Sequence, residues 1–522
     1  MDPQYDVVVV GAGNGGLMCA AQCAKNGLKT LVLEKHNLPG GCATTFVRGR
    51  YEFEASLHEL CSVGTAEKPD EVYRLFEKVG ADPDWRYEHT MFRAVCTAPD
   101  GYDVTLSGTG DDPWDTFAQC VEDAVPGSKE GVLAIRDLVE HDKDAVAYIT
   151  KMKGKLNPLR MITQYADFMR MAAYSAEDVM VALGLPAKAR NILCTYWGYL
   201  GVPTDELKAF HYFNMVDGYV TDGAAFPRLK SHGLSEGLAK VILDNGGDIF
   251  YNTEVDGFVY DGNGAVCGVT AGGKEYRARR IVSNILANNV WNLSPAKNVP
   301  DKARQLANAR SFGISVFTIY LGLDISKDEL GLGNYTTFIQ KSPRARDQYD
   351  LRSNKGFYIV NCLNEIFDEA TPEGTCQLFF TAQLDGSDIP DDLTPEEYKD
   401  WKNKLAQSYI ADAEKVLGVD ISSHVEEVVV ATPVTFARYL GTPTGTIYAY
   451  RTAGWDSVMA RMSAQFTDNT VQSLSFVGGQ TARGDGYSCA FISGDTTAER
   501  ITNQLRAEDA AAEAVASGKA GE

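Results

Sequence analysis

The residues best suited to chemistry stand in two glycine-rich turns, one near each end of the 522-residue chain. The first, Gly11-Ala12-Gly13-Asn14-Gly15-Gly16, satisfies GxGxxG and follows the apolar β-branched run from Val7 to Val10. In such a turn Gly11 permits the tight bend, Gly13 lets the backbone approach a pyrophosphate, and Gly16 lets helix and strand approach closely. The small-residue helix that follows (Leu17, Ala20, Ala21, Ala24) turns its N-terminus toward phosphate charge. Glu34 closes the second strand, Leu31-Val32-Leu33, 18 residues beyond Gly16. Its carboxylate can accept hydrogen bonds from both ribose hydroxyls and would repel a 2′-phosphate. A GxGxxG alone is a weak signal, but strand, helix, second strand and acid in register make a specific dinucleotide signature. The second turn lies in "FVGGQTARGDGYSCAFISGDTTAERI", which starts at Phe476 and sets glycines between a strand-like and a helix-like run.

The elements that position these turns belong to a chain too long for one simple core, so two or more domains are expected. With 44% hydrophobic and 23% charged residues, the composition excludes general disorder. A net charge of −21 argues against nucleic acid as a partner and against electrostatic attraction to anionic lipid. It leaves hydrophobic contact with a membrane open. The 11 cysteines form no CxxC pair and no Cys/His cluster with metal-ligand spacing, so no metal site is expected. Cys19 and Cys23, four apart in a helix, read as packed thiols, and a reducing, cytoplasmic setting fits, with at most peripheral membrane contact. The start "MDPQYDVVVV" has no basic region ahead of its apolar run and does not read as a signal peptide, and no window is long and apolar enough for a membrane span.

The GxGxxG signature serves FAD and NAD alike, and the residues after Glu34 separate them. "EKHNLPGGCATTFVRGRYEFEASLHEL" places Gly40-Gly41 and small residues just after the acid. It resembles the corresponding segment of the flavoprotein family of phytoene desaturases, carotenoid cis–trans isomerases and retinol saturases. Gly49, Tyr51, Phe53 and Glu54 follow the family's pattern, with Glu54 where the family has Asp. The resemblance continues through "GLSEGLAKVILDNGGDIFYNTEVDGFVYD", through "RRIVSN" (Arg279 to Asn284) and through "ATPVTFARYLGTPTGTIYAY" (Ala431 to Tyr450). It ends in the C-terminal motif at Gly484, Gly486, Ala490, Phe491, Ser493 and Gly494. The closest branch is that of the carotenoid isomerases and retinol saturases.

The resemblance implies an α/β fold: a Rossmann-like, glutathione-reductase-type FAD-binding domain with a second α+β substrate domain. It implies FAD held by Gly11, Gly13, Asn14, Gly15, Gly16, Glu34, Lys35, Gly40, Gly41, Thr44, Val255, Gly478, Gly479, Asp485, Gly486 and Tyr487. Many relatives carry Gly-Asp where this chain has Gly478-Gly479, and Asp485 is the candidate substitute. The FAD-binding part is expected at 1–75, 225–295 and 440–505, and the substrate part at 76–224 and 296–439, with a flexible tail at 506–522. The stretch from about 113 to 224 reads as helices rich in Met and aromatic residues, which form either an ordinary core or a cap over an apolar tunnel. From 312 to 440, the runs "FGISVFTIYLGL", "GFYIVNCL", "CQLFFTAQL" and "VEEVVVA" read as a sheet that floors the cavity. Between them lies a helix capped by Thr394, with Pro395 at its first position and Glu397 completing the capping box, ending at Gly418. "YDGNGAV" reads as a hairpin turn.

No second GxGxxG unit is present, so no built-in NAD(P)H domain is expected; this leaves electron transfer to an external acceptor, supply by an outside electron donor, or a redox-neutral isomerisation by reduced flavin. His58 beside Glu59, in "ASLHEL", occupies the stretch that the resemblance places toward the substrate, where carotenoid enzymes usually carry Gly-Ser-Ser. The two residues can supply a proton donor and acceptor, or form a polar corner of the fold. Tyr196, Trp197 and Tyr199 are candidates for the cavity wall or for the core. Arg438 can anchor a carboxylate head, pair with an acid or lie near the diphosphate. The leading expectation is an FAD-dependent desaturase, saturase or isomerase acting on an apolar polyene or unsaturated fatty acid. A flavin amine oxidase is the enzymatic alternative, and a carrier of prenylated proteins that keeps the fold without flavin is the non-catalytic one.

Overall fold

In the computed structural model the chain is described at residues 3–88, 90–152, 155–452, 454–465, 470–481, 484 and 486–517. The strand Tyr5–Val10, whose four consecutive valines are all buried, lies inside a seven-stranded sheet. It runs parallel to Thr30–Leu33 on one side and to Lys274–Ser283 on the other. Burial on both faces explains why it reads as an unbroken apolar run. Asp248–Phe250 extends the sheet beyond Thr30–Leu33, and Leu474–Phe476 adds a parallel strand beside Lys274–Ser283. Lys274–Ser283 serves two partners. Its first half closes an antiparallel ladder with Val266–Ala271, its second half pairs with the N-terminal strand, and the turn read at "YDGNGAV" joins Gly257–Tyr260 to Val266–Ala271.

Two helices cover this sheet from opposite ends of the sequence. Asn14–Lys25 and the 30-residue helix Tyr487–Ala516 lie so close that a Cβ on Gly494 would fall 2.5 Å from the Gly15 carbonyl. Cys19 and Cys23 are buried here, as the spacing predicts, and all 11 cysteines are free. Of the tail expected to be flexible, residues 506–516 instead complete the terminal helix, where Glu508 and Asp509 pair with Arg279 and Arg280, and 518–522 lie outside the described residues. The alanine-rich composition that suggested fraying is also favourable helix chemistry, and these ion pairs tie it to the sheet.

The second sheet has the order 425–431, 316–323, 376–383, 357–362, 336–340, 92–96, 102–106. The four strand-like runs read from the sequence all lie in it. The reading missed Thr336–Gln340 and the hairpin Phe92–Cys96 with Tyr102–Leu106, which joins the sheet through a parallel pairing across more than 200 residues. Val316–Leu323 is buried along its whole length. Helix Pro395–Leu417 covers one face, where Tyr409 stacks on Phe317. Its cap is as expected: the Glu397 amide donates to Thr394 Oγ1 at 3.3 Å, the Thr394 amide donates to Glu397 Oε2 at 2.9 Å, and Gly418 ends it in a left-handed conformation. The described residues of 113–222 are mostly helical, and the helices Lys129–Met152 and Ala209–Asp222 stand over the other face. No helix among the described residues is long and apolar enough to cross a membrane.

Candidate functional site

A single cavity of about 1860 Å³ runs from the N-terminal glycine turn to the second sheet. Its dinucleotide end is a cradle of backbone. Gly11 holds a φ of +92°, in the region that favours glycine. A Cβ on Gly15 would sit 2.6 Å from the Gly478 amide nitrogen, so the first and last glycine turns lie back to back. The Gly40 amide donates to the Ala12 carbonyl at 2.7 Å, which brings the Gly40-Gly41 loop onto the same cradle. No side chain caps helix Asn14–Lys25 and no acid stands in its first turn, so the positive end of its dipole faces the cavity. Beside it, the side-chain oxygen of Asn14 is buried without a hydrogen-bond partner. These features fit a pyrophosphate.

Glu34 is buried and lies on the cavity wall. It accepts from the Ala12 amide at 2.7 Å and from the His36 amide at 2.8 Å. A carboxylate offers about four lone-pair sites, so capacity for ribose hydroxyls remains. Lys35 and Val255 line the same end. Gly478, Gly479, Gly486 and Tyr487 line the middle, where the Tyr487 and Ser56 hydroxyls bond at 2.8 Å. Gly16 and Thr44 stand behind the wall. A Cβ on Gly16 would meet the Gly11 carbonyl at 2.2 Å, which is the close-approach role its motif position predicts. Asp485 lies outside the described residues.

The far end is built from side chains on the segment 55–61. Glu54 holds that segment in place. It is buried, accepts from the amides of Ser56, Leu57 and Ser231 at 3.1, 2.9 and 2.8 Å, and accepts from the Ser231 hydroxyl at 2.7 Å. The Tyr335 hydroxyl donates to the His58 carbonyl, and the Leu60 amide donates to the Ala225 carbonyl at 2.8 Å. His58 lines the cavity with its ring against Tyr199 and Phe379, and its Nε2 is buried without a partner. Burial lowers its pKa to about 4, so the ring is neutral at pH 7. Glu59 accepts from Tyr199 at 3.0 Å and from the Thr336 hydroxyl at 3.2 Å, and burial pushes its carboxyl well above the usual range. Val316, Phe357 and Ile359 of the second sheet and Ile314 just before it complete an apolar chamber, with Phe210 and Met215 opposite.

Three expected substrate contacts fall elsewhere. Tyr196 is buried behind the wall, stacked on Tyr219 at 4.7 Å, and Trp197 is buried with its Nε1 donating to Gln348 Oε1 at 2.6 Å. Both are core, and from that aromatic triplet Tyr199 is the one on the cavity surface. The short helix at Trp197 turns only one part of this segment outward, a choice that the aromatic cluster in the sequence does not reveal. Arg438 is exposed on helix Pro433–Leu440, off the wall, and Lys35 donates to its carbonyl at 3.5 Å. Sequence reasoning missed Glu88, whose carboxyl faces Glu59. It carries no motif and lies just past a three-residue strand. Among the described residues no cluster has the composition of a metal site.

The profile of the NAD(P)-binding Rossmann-like domain family matches residues 9–79. The all-trans-retinol 13,14-reductase of Danio rerio is 24% identical over 493 residues, which cover 88% of this chain and 79% of that protein. The chloroplastic prolycopene isomerase of Arabidopsis thaliana is 22% identical over 540 residues, covering 97% of this chain and 84% of that protein. Among solved structures, putrescine oxidase bound to putrescine aligns with a TM-score of 0.62 at 18% identity, over 95% of this chain and 98% of the other. Cyclohexylamine oxidase from Brevibacterium oxydans aligns with a TM-score of 0.62 at 14% identity, over 97% and 100%. The fold is therefore that of these oxidases, and the sequence is similar to retinol reductases and prolycopene isomerases along nearly its whole length.

Proposed function

We propose that this chain is an FAD-dependent enzyme that saturates, desaturates or isomerises carbon–carbon double bonds of an apolar polyene or unsaturated chain. One observation carries the reading: the cavity continues without a break from a backbone cradle suited to a dinucleotide into an apolar chamber. The similarity to retinol reductases and prolycopene isomerases supports it, since both names denote long, apolar, unsaturated substrates. The likeness to amine oxidases is one of fold and does not favour an amine.

FAD held there supplies reversible two-electron hydride exchange. Gly11, Gly13, Gly15 and Gly40-Gly41 hold its diphosphate, Glu34 its ribose, Val255 its adenine end, and Gly478, Gly486 and Tyr487 its ring end. The chain's own part in the chemistry lies at the far end. Glu54 fixes the loop that carries His58 and Glu59. The apolar wall orients a hydrocarbon and excludes water. Neutral His58 offers a proton acceptor, and Glu59 keeps a proton to a higher pH than an ordinary carboxyl. We assign 1–75, 225–295 and 440–505 to the cofactor part and 76–224 and 296–439 to the substrate part. Net saturation or desaturation needs an external electron partner, isomerisation does not, and a reducing compartment suits the free cysteines.

The deciding experiment is anaerobic incubation of the photoreduced, flavin-loaded protein with polyenes and unsaturated fatty acids. Stoichiometric flavin reoxidation with a saturated product is expected for a saturase, and new isomers without reoxidation for an isomerase. A colourless protein that binds no flavin would instead favour the prenyl-protein carrier.

A further inference from the structure

Two buried carboxyls meet at the chamber wall, and among the described residues no cation neutralises them. Glu59 is 6% exposed, lines the cavity, and has each oxygen engaged, one by Tyr199 and the other by Thr336. Glu88 arrives from the other side, after the strand Trp85–Tyr87, held by its amide to the Ala224 carbonyl at 3.0 Å. Its carboxyl lies within hydrogen-bonding reach of Glu59, yet both of its oxygens are buried and no donor meets hydrogen-bond geometry at either; the Thr336 amide only approaches. Among the described residues, the titratable groups that face the pair are Tyr196 and Tyr199, Tyr219 on helix Ala209–Asp222, Tyr335 before strand Thr336–Gln340, and Cys61 on the loop of Glu59. None of them is a cation.

Two bare carboxylates in this setting repel each other and lack solvation. One proton between them turns the repulsion into a hydrogen bond and gives Glu88 its missing partner. Burial pushes both groups above the usual carboxylate range, and the charge of Glu59 pushes Glu88 further. Such a pair titrates as a unit.

We propose that Glu59 and Glu88 share a single proton and deliver it, through the Tyr199 hydroxyl, to a substrate carbon in the chamber. The proposal rests on the reading of this site as one that adds hydrogen across a C=C bond. That addition consumes one hydride, which a bound reduced flavin would supply, and one proton, which the chain's own residues would deliver to the other carbon. The π electrons form the new C–H bond to the proton that Tyr199 passes on. Tyr199 takes its replacement from the shared O–H bond, whose electrons stay on the pair, and the pair regains a proton from water. Glu59 and Tyr199 face the chamber. Glu88 acts through Glu59 as a positioning residue that keeps the proton in place.

Infrared difference titration of the purified full-length protein reads the pair without turnover. The expected result is a protonated-carboxyl band that persists about two pH units above the usual carboxylate range. That band should be lost in both Glu88→Gln and Glu59→Gln. With a substrate that turns over, product formed in D2O should carry one solvent deuterium. In Glu88→Gln the alkaline limb of the pH–rate profile should move down by about one unit or more, with KM changed by less than about twofold. Absence of the band in the wild-type protein, with polyene saturation intact, overturns the pair alone. An unchanged alkaline limb in Glu88→Gln overturns the delivery step. A titrating band in a flavin-loaded protein that saturates no polyene overturns delivery together with the reading beneath it.

Discussion

The two ends of the cavity are walled by different chemistry. At the dinucleotide end the surface is backbone: Gly11, Gly13, Gly15, Gly40 and Gly478 bring amides and carbonyls together, and side chains would obstruct it. At the substrate end the surface is side chains: His58, Glu59 and Tyr199 project from a loop and a short helix toward the strand residues Val316, Phe357 and Ile359. A backbone surface tolerates almost no added atom, whereas a side-chain surface can change specificity while the fold is kept. Damage at the first end should therefore cost cofactor and stability together, and damage at the second should cost turnover while flavin content stays complete.

Gly15→Val tests the first half of that contrast and should have the largest effect. Its Cβ would meet the Gly478 amide nitrogen, backbone that cannot swing aside. Overpacking of this kind costs about 1–3 kcal/mol, so flavin affinity should fall by roughly tenfold or more. Flavin stoichiometry and thermal unfolding read both losses together, and full flavin content at unchanged Tm would break the contrast.

His58→Ala tests the second half. Turnover should fall by roughly 10²-fold while flavin content stays complete. Undiminished turnover would leave His58 as a polar corner of the fold.

A subtler difference lies in pH. His58 and His211 both have pKa values lowered by burial to about 4 from an ordinary 6.5. The unfolded chain binds more protons between those values. Their contribution to stability is thus fully present above pH 6.5 and is lost as pH falls toward 4. Glu59 has the opposite sign, since its raised pKa gives stability that is full below 4.5 and lost as pH rises through the raised value. Thermal unfolding across this range should show His58→Gln flattening the acid side and Glu59→Gln the neutral side. Parallel curves for the wild type and both variants would remove the electrostatic part of the contrast.

Arg438→Ala should change least. The side chain is exposed and off the wall, so stability should move by less than about 0.5 kcal/mol. A marked rise in substrate KM would bring back a role for this arginine at the chamber.

The dinucleotide half was legible because its rules are local. A valine run, glycines at fixed offsets and an acid after the second strand fall within 34 residues, and each has one physical job. The Thr394 cap is equally local, and it formed as its spacing predicts. The choice of Tyr199 over Tyr196 and Trp197 depends on how one short helix is rotated against a sheet. Glu88 has no signal around it at all. Its meaning comes from Glu59, 29 positions earlier, and from Thr336, nearly 250 positions later. Arg438 looked like an anchor because charge is visible in a sequence and exposure is not.

By itself the sequence determined the phosphate cradle, the parallel strand–helix units around it and the helix ends, since backbone conformation and hydrogen-bond capping act over a few residues. Only the tertiary structure decided that the first and last glycine turns abut, that a buried acid faces Glu59, and which aromatic residues line the chamber. Those outcomes depend on contacts between segments hundreds of residues apart, where burial and desolvation are properties of the assembled fold and of no single stretch of chain.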